Sequence, residues 1–244
     1  MGIIYIIYTL TVLINVYEAI EFTSVVSSKL NNAIFLYPGQ AKSERDLNIC
    51  EQYSVCNIVH HRFWFPPQIE RLCKCPNREE CPWKWTTDDN HTMPLDNRSQ
   101  LKFCEPVNEL PDCTKKVGES ITIERSKEDN NVQIKGKVQC NCPKHTTWEL
   151  IRHEQNDHHN TTTDKSFVKD LFKCIKLSDC NMGDFCGHIR TDYISTYTKC
   201  TCPYGSLCLH KDRTEVPAYE MFFYGQSFRA ECIPFPTNAK LNEV

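Results

Sequence analysis

The residues best equipped for chemistry here are cysteines. Sixteen are spread over 244 residues. The most repeated arrangement is Cys-x-Cys-Pro, found at Cys73-Lys74-Cys75-Pro76, Cys140-Asn141-Cys142-Pro143 and Cys200-Thr201-Cys202-Pro203. Recurrence at near-even spacing marks one small unit used three times. In such a grid the chemistry is oxidation to disulfides. Zinc ligation is the competing use of cysteine, but the Cys-x2-Cys pairs typical of structural zinc sites are absent. No metal and no cofactor is expected.

The spacing around the motif supports the unit. Cys50, Cys56, Cys73, Cys75, Cys81 and Cys104 are separated by 5, 16, 1, 5 and 22 residues. Cys180, Cys186, Cys200, Cys202, Cys208 and Cys232 are separated by 5, 13, 1, 5 and 23. Between these sets lie four cysteines, Cys113, Cys140, Cys142 and Cys174. They keep the motif and the closing cysteine and lack one cysteine on each side, as the loss of one bridge would leave them. Every unit holds an even number, so all sixteen are expected in disulfides confined to their own unit. The pairing inside a unit stays open.

Other reactive patterns are weaker. His153-Glu154-Gln155-Asn156-Asp157-His158 has the composition of a zinc-protease helix, but its second histidine falls at i+5 where one helical face needs i+4. A solvated loop is the plainer reading. His60-His61 and His158-His159 are similar, weaker metal patterns. No Gly-x-Ser-x-Gly elbow is present. A secreted hydrolase with a scattered site is the minority reading, and the chain is read as not an enzyme.

Binding has more to work with. Phe63-Trp64-Phe65 places three aromatics in a row, and a strand cannot turn all three inward. Aromatic anchors are enriched at interface hot spots. Arg71 and Lys74, with Arg78, put positive charge near the first motif, suited to an acidic partner or a cation pore. The binding candidates are therefore Phe63, Trp64, Phe65, Arg71 and Lys74. Trp83 and Trp85 would share one face of a strand and suit a small core. A net charge of -3 with no basic block speaks against nucleic acid and against an anionic membrane surface.

The elements that must position these residues read as strands. Ile58 to Phe65 and Arg71 to Cys75 are broken by Pro66-Pro67. Ser120 to Glu124 and Val132 to Val138 alternate with period two around a polar turn, a hairpin signature. Thr147 to Ile151 is extended and leads into a long polar loop, followed by a short helix at Asp164 to Phe172. Thr191 to Cys202 is rich in Thr and Tyr, as strands are. In Cys-x-Cys both side chains face one way, and a bond between them would be strained. Each cysteine should therefore reach a different neighbouring strand, and the proline should end the ladder.

The expected fold class is all-β, small and disulfide-rich, with three tandem hairpin-rich cysteine-stapled units. The divisions are a signal peptide over 1–19, whose apolar run is too short to span a membrane, and an N-terminal segment over 20–49. A six-cysteine unit over 50–104, a four-cysteine unit over 105–174, a six-cysteine unit over 175–232 and a tail over 233–244 follow. Secretion makes the sequons at Asn90, Asn97 and Asn160 glycan sites on exposed loops. No membrane insertion is expected.

The pattern Cys-x5-Cys, Leu72-Cys73-Lys74-Cys75-Pro76, Cys81-Pro82-Trp83 and Phe103-Cys104 resembles the centipede venom scoloptoxin-11 family over 50–232. The resemblance implies a secreted toxin acting on an ion channel, a potassium channel in the first instance, or on a receptor. A looser resemblance is to the Argos (Giant-lens) type of secreted antagonist, built of repeated cysteine-stapled β units. It implies an endogenous antagonist whose partner is an EGF-like growth factor. Neither resemblance assigns a contact residue.

Overall fold

The computed structural model describes residues 22–27, 33–87, 89–96, 98–113, 119–128, 131–143, 146–160 and 163–235. The expected signal peptide over 1–19 and residues 236–244 of the expected tail lie outside them, as does Asn97. Among the described residues the elements are strands and two single turns of 3-10 helix. None is a helix long and apolar enough to cross a membrane.

Alternation and β-branching decide the strands. β1 (Phe22–Ser27), β2 (Ala33–Pro38), β3 (Val55–His60), β4 (Gln68–Arg71), β5 (Thr92–Pro94) and β6 (Ser99–Phe103) form a sheet in the order β1-β2-β4-β3-β6-β5. Only β2 and β4 run parallel in it. Part of the N-terminal segment is thus built into the first unit's sheet. β7 (Ile121–Glu128), β8 (Asn131–Val138), β9 (Thr146–Asn160) and β10 (Thr163–Lys176) form a second, antiparallel sheet in the order β8-β7-β10-β9. β11 (Ser178–Asp179) and β14 (Cys200–Thr201) make a short parallel pair. β12 (Phe185–Arg190), β13 (Thr196–Thr198), β15 (Ser206–Glu220) and β16 (Phe223–Pro234) form the last sheet, β13-β12-β16-β15.

Several sequence expectations need correction. The stretch Asp164 to Phe172 is not a helix: it belongs to β10, which pairs with β7 on one side and β9 on the other. Two ladders of backbone hydrogen bonds outweigh its weak helical pattern. The polar loop after Ile151 is likewise the outer half of β9. β3 stops at His60, so Phe63-Trp64-Phe65 lies in a turn. β4 stops at Arg71. Trp83 and Trp85 are in irregular chain, yet both pack on the cluster of Phe35, Val59 and Ile69.

Eight disulfides join cysteines of the same unit. In both six-cysteine units the first pairs with the third, the second with the fifth and the fourth with the sixth: Cys50–Cys73, Cys56–Cys81 and Cys75–Cys104, then Cys180–Cys200, Cys186–Cys208 and Cys202–Cys232. The motif therefore ties the opening of each unit to its close. The four-cysteine unit keeps Cys113–Cys140 and Cys142–Cys174 and lacks the second-to-fifth bridge. Strand register shows what stands there. Asn57 pairs with Lys102, Ile121 with Phe172 and Gly187 with Ala230, each partner two residues before the closing cysteine. The residues just before them, Cys56, Ser120 and Cys186, are equivalent. Trp148 follows Cys142 by the interval that separates Cys81 from Cys75 and Cys208 from Cys202. Ser120 is buried and its hydroxyl accepts the Cys174 N–H at 3.0 Å, while Trp148 joins the core. A buried indole replaces a cross-link. Trp148→Ala should therefore cost about 3–5 kcal/mol of stability, comparable to the loss of a single bridge. Denaturant titration checks this.

The main core is shared by all three units. It gathers Val55, Ile58, Leu101 and Phe103 with Ile121, Ile123, Val138, Trp148 and Phe172, and adds Met221 and Phe222 from the turn between β15 and β16. Phe222 sits at φ 60, a left-handed conformation costly for a bulky residue. Its ring lies directly over Gly136 of β8.

Candidate binding site

The turn after β3 begins with His61 and ends at Pro66-Pro67, which fix φ and withhold backbone donors. It is closed by the Phe65 N–H donating to the Arg62 carbonyl at 3.2 Å. Arg62 is buried, and its Nε donates to the Tyr193 carbonyl at 2.8 Å, 131 residues along the chain. The turn is thus fastened to the last unit. Phe63, Trp64 and Phe65 are 82%, 54% and 55% exposed. Phe63 and Trp64 meet edge to face with centroids 4.3 Å apart, a favoured aromatic geometry. The Arg98 guanidinium lies 5.9 Å from the Phe63 centroid and 5.3 Å from that of Trp64, within cation–π range. The result is a rigid aromatic projection with a positive charge at its base.

Arg71 and Lys74 are not part of it. β4 lies between β2 and β3, so Arg71 is buried, with its guanidinium 4.6 Å from the Phe35 centroid and 3.1 Å from the Glu44 carboxylate. Lys74 is half-buried and donates to the Arg45 carbonyl at 3.1 Å. Both hold the first unit together. Arg62 and Arg98 were not legible as site residues, because the groups they engage lie far along the chain.

The sequon residue Asn90 is exposed at a tip. Beneath it Lys102 is buried and donates to the hydroxyls of Thr86 and Thr92 at 2.9 and 2.5 Å and to Asp89 at 3.3 Å. Burial lowers the Lys102 pKa against the pull of Asp89. Lys102→Met should loosen this tip; amide exchange over 89–95 should speed up while the disulfides stay intact. Asn160 ends β9, at the hairpin to β10.

Two side-chain clusters have the composition of catalytic groups. In the first, the Ser99 hydroxyl is 2.9 Å from His60 Nδ1, and His60 Nε2 is 3.5 Å from Glu70. Glu70 also accepts from Arg190 Nη1 at 2.9 Å, and Arg190 donates to Asp192 at 3.1 and 2.7 Å. Ser99, His60 and Glu70 are all sealed from solvent. A nucleophile with no path for substrate has no use as one, so the group is a latch between the first and last units. In the second, buried Asp170 accepts from Arg125, from the Tyr219 hydroxyl and, at 2.7 Å, from His153 Nδ1. It joins β7, β9 and β10 to β15. Burial raises the Tyr219 pKa, so its hydroxyl stays a donor. His153 lies on strand β9 and not on the helix that a zinc-protease motif needs, which removes that reading. Among the described residues, groups with metal-ligand spacing consist of cysteines, and each of those cysteines is in a disulfide.

No protein-family model matches the chain. It is similar to U-scoloptoxin(11)-Sm7a of the centipede Scolopendra morsitans, 29% identical over 143 residues. That match takes in 56% of this chain and 60% of the relative, under two thirds of the relative's length. It is also similar to Kappa-scoloptoxin(11)-Ss1a of Scolopendra dehaani, 27% identical over 197 residues, 77% of this chain and 84% of the relative. Among solved structures it resembles unliganded Argos, with a TM-score of 0.50 and 24% identity, covering 83% of this chain and 98% of that one. This last likeness concerns the fold.

Proposed function

We propose that the chain is a secreted binding protein of the venom-toxin kind. It would engage an ion channel, a potassium channel first, or a receptor through the projection of Phe63, Trp64, Phe65 and Arg98. The observation that carries this reading is the exposure of three consecutive aromatics on a turn that Arg62 and two prolines hold rigid. Rigid, preorganised aromatics are what interface hot spots use. The similarity to scoloptoxins supports the toxin setting. A binding role rather than catalysis fits the burial of the Ser99, His60 and Glu70 cluster. Glycans at Asn90, Asn97 and Asn160 belong to the same proposal.

Patch-clamp recording on a panel of potassium channels tests it. The oxidised protein should reduce current on at least one member. Replacing Phe63, Trp64 and Phe65 together by serine should weaken block at least a hundredfold, with the melting temperature within a few degrees of the parent. Arg98→Gln should weaken it by about tenfold. Block that survives the triple substitution overturns the assignment of the surface. Absence of block, together with capture of an EGF-like growth factor, would favour an endogenous antagonist, the reading in keeping with the Argos-like fold.

A further inference from the structure

The outward face of the middle sheet carries a groove of about 290 Å³. It lies well away from the aromatic turn in sequence and belongs to a different sheet. It is lined by Glu124, Ser126 and Glu128 of β7, Asn131, Gln133 and Lys135 of β8, and Phe167 of β10. Strand register orders these residues. Phe167 pairs with Ser126 and with Asn156, and Ser126 pairs with Gln133. Directly paired residues share a face. One row across the four strands therefore reads Asn156, Phe167, Ser126, Gln133: an amide, an aromatic ring, a hydroxyl and an amide.

The flanking row contains charges that already have partners. Lys169 Nζ is 3.4 Å from the Glu124 carboxylate, and Lys135 Nζ is 3.0 Å from that of Glu51. Glu128, at the turn end of the groove, is engaged as well, so the walls' charges are occupied and the central row is uncharged. An ion finds little to bind, and an apolar ligand finds one ring among polar groups.

We infer that this groove binds one or two units of a neutral carbohydrate. A pyranose has one face of C–H bonds, which lies against an aromatic ring, and a rim of hydroxyls that both donate and accept. Phe167 supplies the ring. Ser126, Gln133 and Asn131 of the lining are side chains that can donate and accept at once, matching the rim. The occupant is a glycan on the surface of a target cell, so the groove gives a second, weak attachment beside the aromatic turn. Two weak contacts on one rigid body raise effective affinity without new chemistry.

The test is saturation-transfer NMR on the full oxidised chain, with N,N′-diacetylchitobiose and mannotriose as separate probes. Transfer to at least one probe is expected, with millimolar dissociation. Phe167→Ala should weaken it by at least tenfold, and Gln133→Ala by several fold, with the melting temperature little changed because both side chains point outward. The variant with Phe63, Trp64 and Phe65 replaced by serine should bind the sugar as the parent does, which separates this site from the proposed channel contact. No transfer from either sugar overturns the inference, as does transfer that survives Phe167→Ala.

Discussion

Glu70→Ala will lower the free energy of unfolding by about 3–5 kcal/mol, the range for removing one partner of a buried ion pair. Glu70 is 2% exposed and faces Arg190, which is itself buried, across the boundary between the first and last units. Alanine leaves the guanidinium with Asp192 alone, and Asp192 is at the surface. The pair's acid dependence follows from the same geometry. Burial opposes ionisation of Glu70, but Arg190 and then His60 override it, and its pKa falls to about 2 from 4.5. A carboxyl depressed on folding stabilises above its unfolded pKa, and that stability is lost as pH falls through the folded one. On the order of 3 kcal/mol should therefore disappear between about pH 4.5 and pH 2. Urea titrations at several pH values measure both effects. In Glu70→Ala the loss over that window should be correspondingly smaller. Replacing Glu70 and Arg190 together by leucine should recover most of the stability, because a packed apolar pair avoids the desolvation of both charges. A Glu70→Ala cost below about 1 kcal/mol would remove the latch from the account.

Gly136→Ala should destabilise the parent protein by about 1–3 kcal/mol and stabilise the Phe222→Ala variant. The reversal of sign is the informative part. A Cβ at position 136 would fall inside van der Waals contact of Phe222 Cζ and Cε1, while Val55 Cγ2 at 3.4 Å is ordinary contact. Overpacking of this kind typically costs about 1–3 kcal/mol. Gly136 is not among the residues with positive φ, so alanine meets no backbone strain. With Phe222 cut back, the gain from replacing a strand glycine, roughly 0.5–1 kcal/mol, remains. Phe222→Ala alone should cost about 3–5 kcal/mol, part of it returned by removing a bulky side chain from a left-handed position. A double-mutant cycle reads the coupling directly. Additive effects would mean that the ring does not rest on Gly136.

Much of this architecture is legible in the residues. The cysteine grid announces three sets of cysteines within which the bridges close, and Ile121 to Val138 announces a hairpin, because both are patterns local to the chain. The outer half of β9 and most of β10 are not legible as strands, since their polar sequence shows little alternation and tertiary pairing decides them. The latch is invisible for another reason: Glu70 and Arg190 are 120 residues apart, and nothing near either one predicts that both are buried. Arg71 misled because charge was read as exposure, whereas β4 is an interior strand. The aromatic turn was legible as a run of types that no strand can bury. Its clamp, Arg62 on the Tyr193 carbonyl, was not, because a backbone acceptor leaves no trace in sequence.

Because every bridge closes within its own unit, the molecule is covalently a string of three knots joined by single threads. One cut in the thread between Cys104 and Cys113 would leave two pieces that no bond connects. They would stay together through the shared core, the latch and the clamp, all of them reversible. The bridges make each knot durable for as long as it lasts outside a cell, yet a protease needs one peptide bond to make the whole perishable. Dilution would then separate the halves, and the aromatic projection would lose the carbonyl that holds it upright.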